Sequence, residues 1–447
     1  VTQHPEPQVI PHAFNVPMVK AAVYRQFGAN SYIPAEYTDF IDESMSWKTT
    51  CYIGDWSPLW KLMVCGRDAG RFFSDISVNS FKSVEVGQGK HLIFCTLGGK
   101  VTGDGVLMRL DQDRWFYQSG PGAPWAQFMF DQGGYDATCT NVTADHFIFQ
   151  VSGPNSLFVL EKATGESLRD IGFMRFRETR IGGMPFYALR QGMAGELGYE
   201  LHGSSLHGRA IYQAILDAGQ EFGIRRLGSR TLQVNHVEAC FPTSTVDYTP
   251  AMHGPSERDF FNELRKVNSA LSLDVIRNAG SYEIAANSDM YRSPVELGWS
   301  KSIKFDHEFL GRQVLAEEIA DPRRTMVTLI WNSEDVVDVY ASLFRKDALP
   351  PYMEVPRHYG EFGMWADSVM RDGQLVGVST SRCYSVYFRE MISLCVIDIA
   401  SATPGVAVEV LWGKRGSGQK RIRAIVAPAP YKRDGRKIDV NALPSYL

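Results

Sequence analysis

The sequence predicts an α+β protein of three units, two of mixed character and a last one built only of strands. Three observations carry that expectation. The chain has 447 residues, and about three domains is the prior for such a length. Between His91 and Gly223 runs of strand character exchange with runs of helical period, the order of a mixed unit. Beyond residue 323 the period is mainly two, the pattern of a small barrel or jelly roll.

Taken in order, "HLIFCTL" from His91 reads as a strand, followed by the glycine-rich "GGKVTGDG" at 98–105. "VLMRL" and "RWFYQ" form a strand pair around an Asp-Gln-Asp turn. "HFIFQVSGPNSLFVLEKATG" reads as a strand entering a helix near Pro154 and Asn155, ended by Gly165. The strand "MPFYALR" runs into "RQGMAGELGYELHG" at 190–203, and "SSLHGRAIYQAILDAGQEFG" follows as an amphipathic helix. A serine caps it, Ile211, Ile215 and Leu216 share a face, and Gly223 stops it. A boundary falls between "FLGRQVL" at 309–315 and "RRTMVTLIW" at 323–331. Past it come "QLVGVST", "MISLCVID", "VAVEVLW" and "RIRAIVA", with Asp372-Gly373 as a hairpin turn.

Composition excludes several classes. A net charge of -4 gives no reason to expect nucleic acid or an anionic membrane as partner. No window approaches about 18 uninterrupted apolar residues, so no spanning helix is expected. The proline-rich start lacks the basic-then-apolar order of a signal peptide. Seven cysteines without a CxxC suit a reducing cytoplasm, and the ten histidines form no HExxH or other metal spacing. No metal is expected.

The glycine motifs are weak. "GGKVTGDG" has no GxGxxG spacing and no Lys-Ser/Thr ending, and "GKRGSGQK" at 413–420 has Gln419 where a P-loop needs lysine. Asp104, taken alone in such a glycine loop, is more readily a turn residue than a catalytic one. Arg230 and Glu238 stand about two turns apart on one face if 228–241 is a helix, where an ordinary surface ion pair is the plainest reading. The 190–203 stretch holds two glutamates and four glycines but no Ser, Cys or Lys nucleophile.

Order and combination change these odds. "GGKVTGDGVLMR", "QVSGPNSL", "GMAGELGYEL", "LGSRTLQVNHVEA", "SPVELGWSKSIKFDHEFLGRQVL" and "VGVSTSRCYSV" with "ISLCVI" follow the running signature of the aminomethyltransferase family. The chain resembles the glycine-cleavage T-protein over nearly its whole length, from about residue 25 to "PAPYKR". Within that family it looks most like the tetrahydrofolate-dependent aryl O-demethylases of the vanillate, syringate and dicamba type. The resemblance implies a discontinuous folate-binding unit (1–147 with 229–320), a second α+β unit (148–228) and a C-terminal β unit (321–447). By the same likeness Glu200 is the ligand of the pterin ring. Asp104 lies near the folate nitrogens with a tentative catalytic role, and Arg230, Met193 and Tyr199 complete the cofactor set. Tyr32, Leu232 and Phe241 correspond to the substrate pocket. Five positions depart from the pattern: Met193 replaces an aromatic and Gly103 an aspartate, Leu232 and Phe241 stand where the vanillate enzyme has a tyrosine and a tryptophan, and its basic residue near Gly120 is missing.

The implied reaction moves a methyl group from an aryl ether to N5 of tetrahydrofolate, leaving a phenol. Such an acceptor needs no protein nucleophile, in keeping with the 190–203 stretch. A phenolate leaving group, with a conjugate acid of pKa about 10, gains about 10²–10⁴-fold from a general acid. Leu232 cannot supply it. Other folate-dependent methyl or aminomethyl transfers, and a folate-binding protein without chemistry, remain as alternatives.

Overall fold

The computed structural model describes residues 23–27, 31–252, 258–260, 262, 278–346, 350–355 and 364–446. The described chain opens with an antiparallel ribbon of β1 (Val23–Phe27) and β2 (Ser31–Glu36), then helix α1 (Phe40–Thr49) and strands β3 (Cys51–Asp55) and β4 (Trp60–Cys65). Asp39 starts α1 by accepting the backbone N–H groups of Ile41 and Asp42. Helix α2 (Ala69–Ile76) leads to β5 (Gln88–Cys95), β6 (Val101–Arg109) and β7 (Arg114–Ser119), followed by helix α3 (Gly122–Gln132) and β8 (Thr138–Asn141). These make a five-stranded antiparallel sheet in the order β5-β6-β7-β4-β8.

The glycines of 98–105 divide between two tasks. Gly99 turns the chain at φ +68, whereas Gly103 and Gly105 lie inside β6. A Cβ at Gly103 would strike Gly122 at the start of α3, and one at Gly105 would strike the Gln118 carbonyl. Asp104 is therefore a strand residue opposite Ile93 of β5 rather than a loop residue. The same contact explains why an aspartate has no room at Gly103.

Next come β9 (His146–Ser152), helix α4 (Ser156–Thr164), β10 (Phe176–Ile181), β11 (Met184–Arg190), β12 (Gly198–Ser204), helix α5 (Ser205–Gly219) and β13 (Ile224–Arg226). They form a six-stranded sheet, β10-β11-β12-β9-β3-β13, in which only β13 runs parallel to its neighbour β3. Gly165 ends α4 in the left-handed region, and Gly223 does the same after the short 3₁₀ turn that follows α5. Ser204 occupies the N-cap position of α5, but its hydroxyl makes no capping bond. Alternate residues of this sheet, among them Phe147, Phe149, Tyr199 and Leu201, pack with Leu157, Ile211 and Ile215 of the two helices. The other face, with Gln150, Glu200 and His202, turns toward the five-stranded sheet, where Gln118 and Phe116 meet it.

Helix α6 (Ser229–Glu238) joins the units, and α7 (Arg312–Ala320) precedes β14 (Arg324–Trp331) and helix α8 (Ser333–Ser342). With β15 (Asp367–Arg371), β16 (Gln374–Ser385), β17 (Glu390–Asp398), β18 (Ala407–Trp412) and β19 (Lys420–Ala427), β14 closes a barrel in the order β14-β17-β16-β15-β18-β19. Asp372 and Gly373, both at positive φ, form the hairpin between β15 and β16. "GKRGSGQK" is the hairpin loop between β18 and β19, far from the shape of a phosphate loop. The expected Arg230–Glu238 pair does not form. Glu238 is buried between Trp47, Lys48 and Ser385, and Arg230 pairs with Glu36 instead. Among the described residues no helix is long and apolar enough to cross a membrane.

Candidate active site

Two carboxylates on neighbouring sheets define the site, Asp104 half-buried and Glu200 buried. Asp104 projects from β6 between His91 and Tyr248. Its Oδ1 accepts the Tyr248 hydroxyl at 2.7 Å, and its Oδ2 is 2.9 Å from His91 Nε2. The Ser119 hydroxyl donates to the Asp104 carbonyl at 2.6 Å and holds the strand in place. Burial first, and the Asp104 carboxylate second, hold the Tyr248 hydroxyl well above the ordinary phenol range, so it keeps its proton and donates. His91 meets Trp299 edge to face, at 5.0 Å and 84°, and lies 6.3 Å from the Phe241 ring. Behind Phe241, His236 has its Nδ1 2.9 Å from the Thr243 hydroxyl, and burial pushes its pKa down to about 4.

His91, Phe241 and Trp299 line a cavity of about 560 Å³. Five cations, Lys90, Lys301, Lys304, Arg436 and Lys437, share its wall, a surface suited to carboxylates. Gln191 and Val106 line it on the side of the second carboxylate.

Glu200 is 2% exposed. It accepts Gln118 Nε2 at 2.7 Å, Gln191 Nε2 at 2.9 Å and Gln150 Nε2 at 3.4 Å. Tyr52 in turn donates to Gln150 Oε1 at 2.5 Å. The turn before it is shaped by Gly192, where a Cβ would strike the Glu196 carbonyl, and by Gly195 at φ +69. Lys432 clamps that turn through the carbonyls of Ala194 and Gly195 and through Glu196. The carbonyl oxygens of Gln118 and Gln191 are buried without a protein partner. An unpaired buried acceptor is costly, so this pair of oxygens beside a carboxylate calls for a ligand with an edge of N–H donors.

The family model described as the GCVT N-terminal domain matches residues 16–258. The chain belongs to the GCVT aminomethyltransferase family. It is an enzyme of that family, it carries out folate-dependent one-carbon transfer, and its cofactor is tetrahydrofolate. The chain is 35% identical to a sesamin methylene transferase from Sinomonas sp. (strain No.22), over 92% of this chain and 94% of that protein. It is 31% identical to a syringate O-demethylase from Sphingobium sp. (strain NBRC 103272 / SYK-6), over 91% and 92% of the two chains. The solved structure of the glycine cleavage system aminomethyltransferase T from Bartonella henselae has the same fold, with TM-score 0.68 and 17% identity over 94% of this chain and 96% of that one.

The residues present fit the family's cofactor. Glu200 and the two orphaned glutamine oxygens offer acceptors to a pterin edge, and Phe241 and Trp299 line the adjoining cavity. The other residues that the sequence singled out are dispersed. Tyr199 follows β12 to its opposite face and is buried in the helix-covered core, away from Glu200. Met193 sits half-buried in the glycine turn, and Leu232 is half-buried on α6; neither lines the cavity. Arg230 donates to Glu36 at 3.0 Å and reaches the Val355 carbonyl at 3.5 Å, also outside the cavity wall. Phe241 lines the cavity, and the Tyr32 side chain lies outside the described residues. Sequence reasoning missed His91, Tyr248, Trp299 and the three glutamines. For His91 a signal was present, since the register of two antiparallel strands across a tight turn places it near Asp104. For Tyr248 there was none. Among the described residues no group of His, Cys, Asp and Glu could hold a metal ion.

Proposed function

We propose that this enzyme is a tetrahydrofolate-dependent O-demethylase acting on a small methoxylated aromatic acid. The observation that carries the reading is His91, backed by Asp104 and through it by the Tyr248 hydroxyl, on the wall of a cavity that Phe241, Trp299 and five cations also line. A cationic wall attracts the substrate carboxylate, and Phe241 and Trp299 receive its ring. The relatives, a syringate O-demethylase and a sesamin methylene transferase, support an aromatic donor.

Tetrahydrofolate, when bound, supplies a nucleophilic N5 that accepts the one-carbon unit. Glu200, held by three amides, would accept from the pterin edge and set its register, and Asp104 would take the proton released at N5. Holding donor and acceptor at near-attack distance is worth roughly 7–11 kcal/mol in favourable cases. His91 provides the acid that Leu232 cannot. Its Nε2 faces Asp104, which leaves Nδ1 for the departing phenolate oxygen, and Asp104 compensates the charge on the ring. Met193 and Tyr199 act on the cofactor only through the turn and strand that carry Glu200, while Arg230, paired with Glu36, and Leu232 stand outside the cavity wall. The seven free cysteines suit a cytoplasmic setting.

A second reading is favoured by the relative at 35% identity: transfer of a methylene rather than a methyl unit. One anaerobic assay separates them. The protein is incubated with tetrahydrofolate and vanillate, syringate, dicamba, sesamin or dimethylglycine, and the folate products are separated. The expected result is 5-methyltetrahydrofolate and a phenol from a methoxybenzoate. Methylenetetrahydrofolate from sesamin alone would establish the second reading, and no one-carbon folate from any donor would sink both.

A further inference from the structure

A second cavity, of about 200 Å³, lies between the two sheets on the far side of Glu200 from the site just described. Its walls are Met63, Met108, Phe116 and Tyr187, and it opens to the surface beside Glu178. Along β12, Glu200 and His202 point to the same side, so the cavity continues the inter-sheet layer that holds the carboxylate. His202 is 2% exposed, and neither of its ring nitrogens has a hydrogen-bond partner. The nearest charged atom, Glu200 Oε2, is 3.6 Å from His202 Nε2, beyond hydrogen-bond distance. His146, from the neighbouring strand, also lines the cavity with a buried and unpartnered Nδ1. Phe116 lies between the two rings, 5.4 Å from His146 and 5.7 Å from His202.

Three orphaned imidazole nitrogens within apolar walls describe a ligand. Buried polar atoms are normally satisfied, and an imidazole has one nitrogen that donates and one that accepts. A hydroxyl can accept from the first kind or donate to the second. An apolar cavity of about 150 Å³ already takes a benzene ring, so this one has room for a single ring with a small substituent. No lysine or arginine lines it, and the carboxylate at its mouth repels anions. Burial lowers the pKa of His146 and keeps that ring neutral at neutral pH.

We propose that this inter-sheet cavity is a second binding site, for a neutral single-ring phenol whose hydroxyl is met by His202. It is separate from the cation-lined cavity, which suits carboxylates. The site stands on its own geometry and does not depend on the folate reading.

Fluorine NMR of the full chain with 4-fluorophenol tests the site, with 4-fluorotoluene and 4-fluorobenzoate as comparison probes. Saturable binding of 4-fluorophenol is expected, not displaced by 4-fluorobenzoate. His202→Phe keeps a ring of similar size but removes both nitrogens; it should weaken 4-fluorophenol at least about tenfold and leave 4-fluorotoluene unchanged. Leu110→Trp, at the half-buried rim, should close the cavity to both neutral probes even if His202→Phe fails to fold. A crystal soaked with 4-fluorophenol should show it between β7 and β12. Absence of saturable binding, equal affinity in both variants and the parent, or water alone in the cavity of soaked crystals would each overturn the assignment.

Discussion

Asp104 and Glu200 are two carboxylates on facing sheets, and their neighbours differ in kind. Asp104 is held by an imidazole and by a phenol that keeps its proton, and its side chain retains 14% exposure. Glu200 is held by the amides of Gln118, Gln150 and Gln191, none of which titrates, at 2% exposure. The first arrangement suits proton handling during a reaction. The second suits a fixed set of acceptors. In the proposed reaction, the choice of partners around the same functional group separates chemistry at Asp104 from cofactor registration at Glu200.

The sharpest way to break that contrast is at His91. His91→Phe preserves ring packing against Trp299 but removes the acid, and kcat for a methoxybenzoate should fall about 10²–10⁴-fold. The folate Kd should change little, and the loss should be smaller for a chlorinated donor whose phenolate leaves more easily. Single-turnover kinetics with both donors would read this. A next effect is expected at Glu200. Glu200→Ala removes charge-assisted bonds of about 1.5–3 kcal/mol each, so folate affinity by titration calorimetry should drop on the order of 10²-fold. An unchanged affinity would remove Glu200 from the cofactor site. Tyr248→Phe takes one donor from Asp104 and should cost about tenfold in kcat, together with a displaced pH–rate profile. A purely structural tyrosine would lower stability and leave the profile where it was.

The smallest effect concerns stability. His236 has a folded-state pKa of about 4, below the unfolded value of about 6.5. Between these values the unfolded chain binds more protons, so stability rises with pH and is lost as pH falls from about 6.5 toward 4. His236→Gln should remove a slope of up to about 1.4 kcal/mol per pH unit in that window, measurable by urea unfolding at several pH values. An identical slope in parent and variant would show that other groups dominate.

What could be read along the chain was what the chain decides locally. Strand period, the helix stops at Gly165 and Gly223, and the Asp372-Gly373 hairpin follow from φ preferences and from which alternate side chains are apolar. They predicted the mixed units and the terminal barrel, and ordered motifs pointed to the family through Glu200 and Asp104. Strand alternation also separates Tyr199 from Glu200, although adjacency in the sequence had grouped them. The partners of the two carboxylates are another matter. Glu200 meets amides 82, 50 and 9 residues away, and Asp104 meets a tyrosine 144 residues away. No propensity or spacing encodes the pairs with Gln118 and Tyr248, which exist only once distant segments have packed together, whereas Gln150 meets Glu200 as its cross-strand neighbour in the same sheet. The residue types with access to the chemistry were written in the sequence; which of them share a proton, and which merely hold still, was decided by tertiary packing.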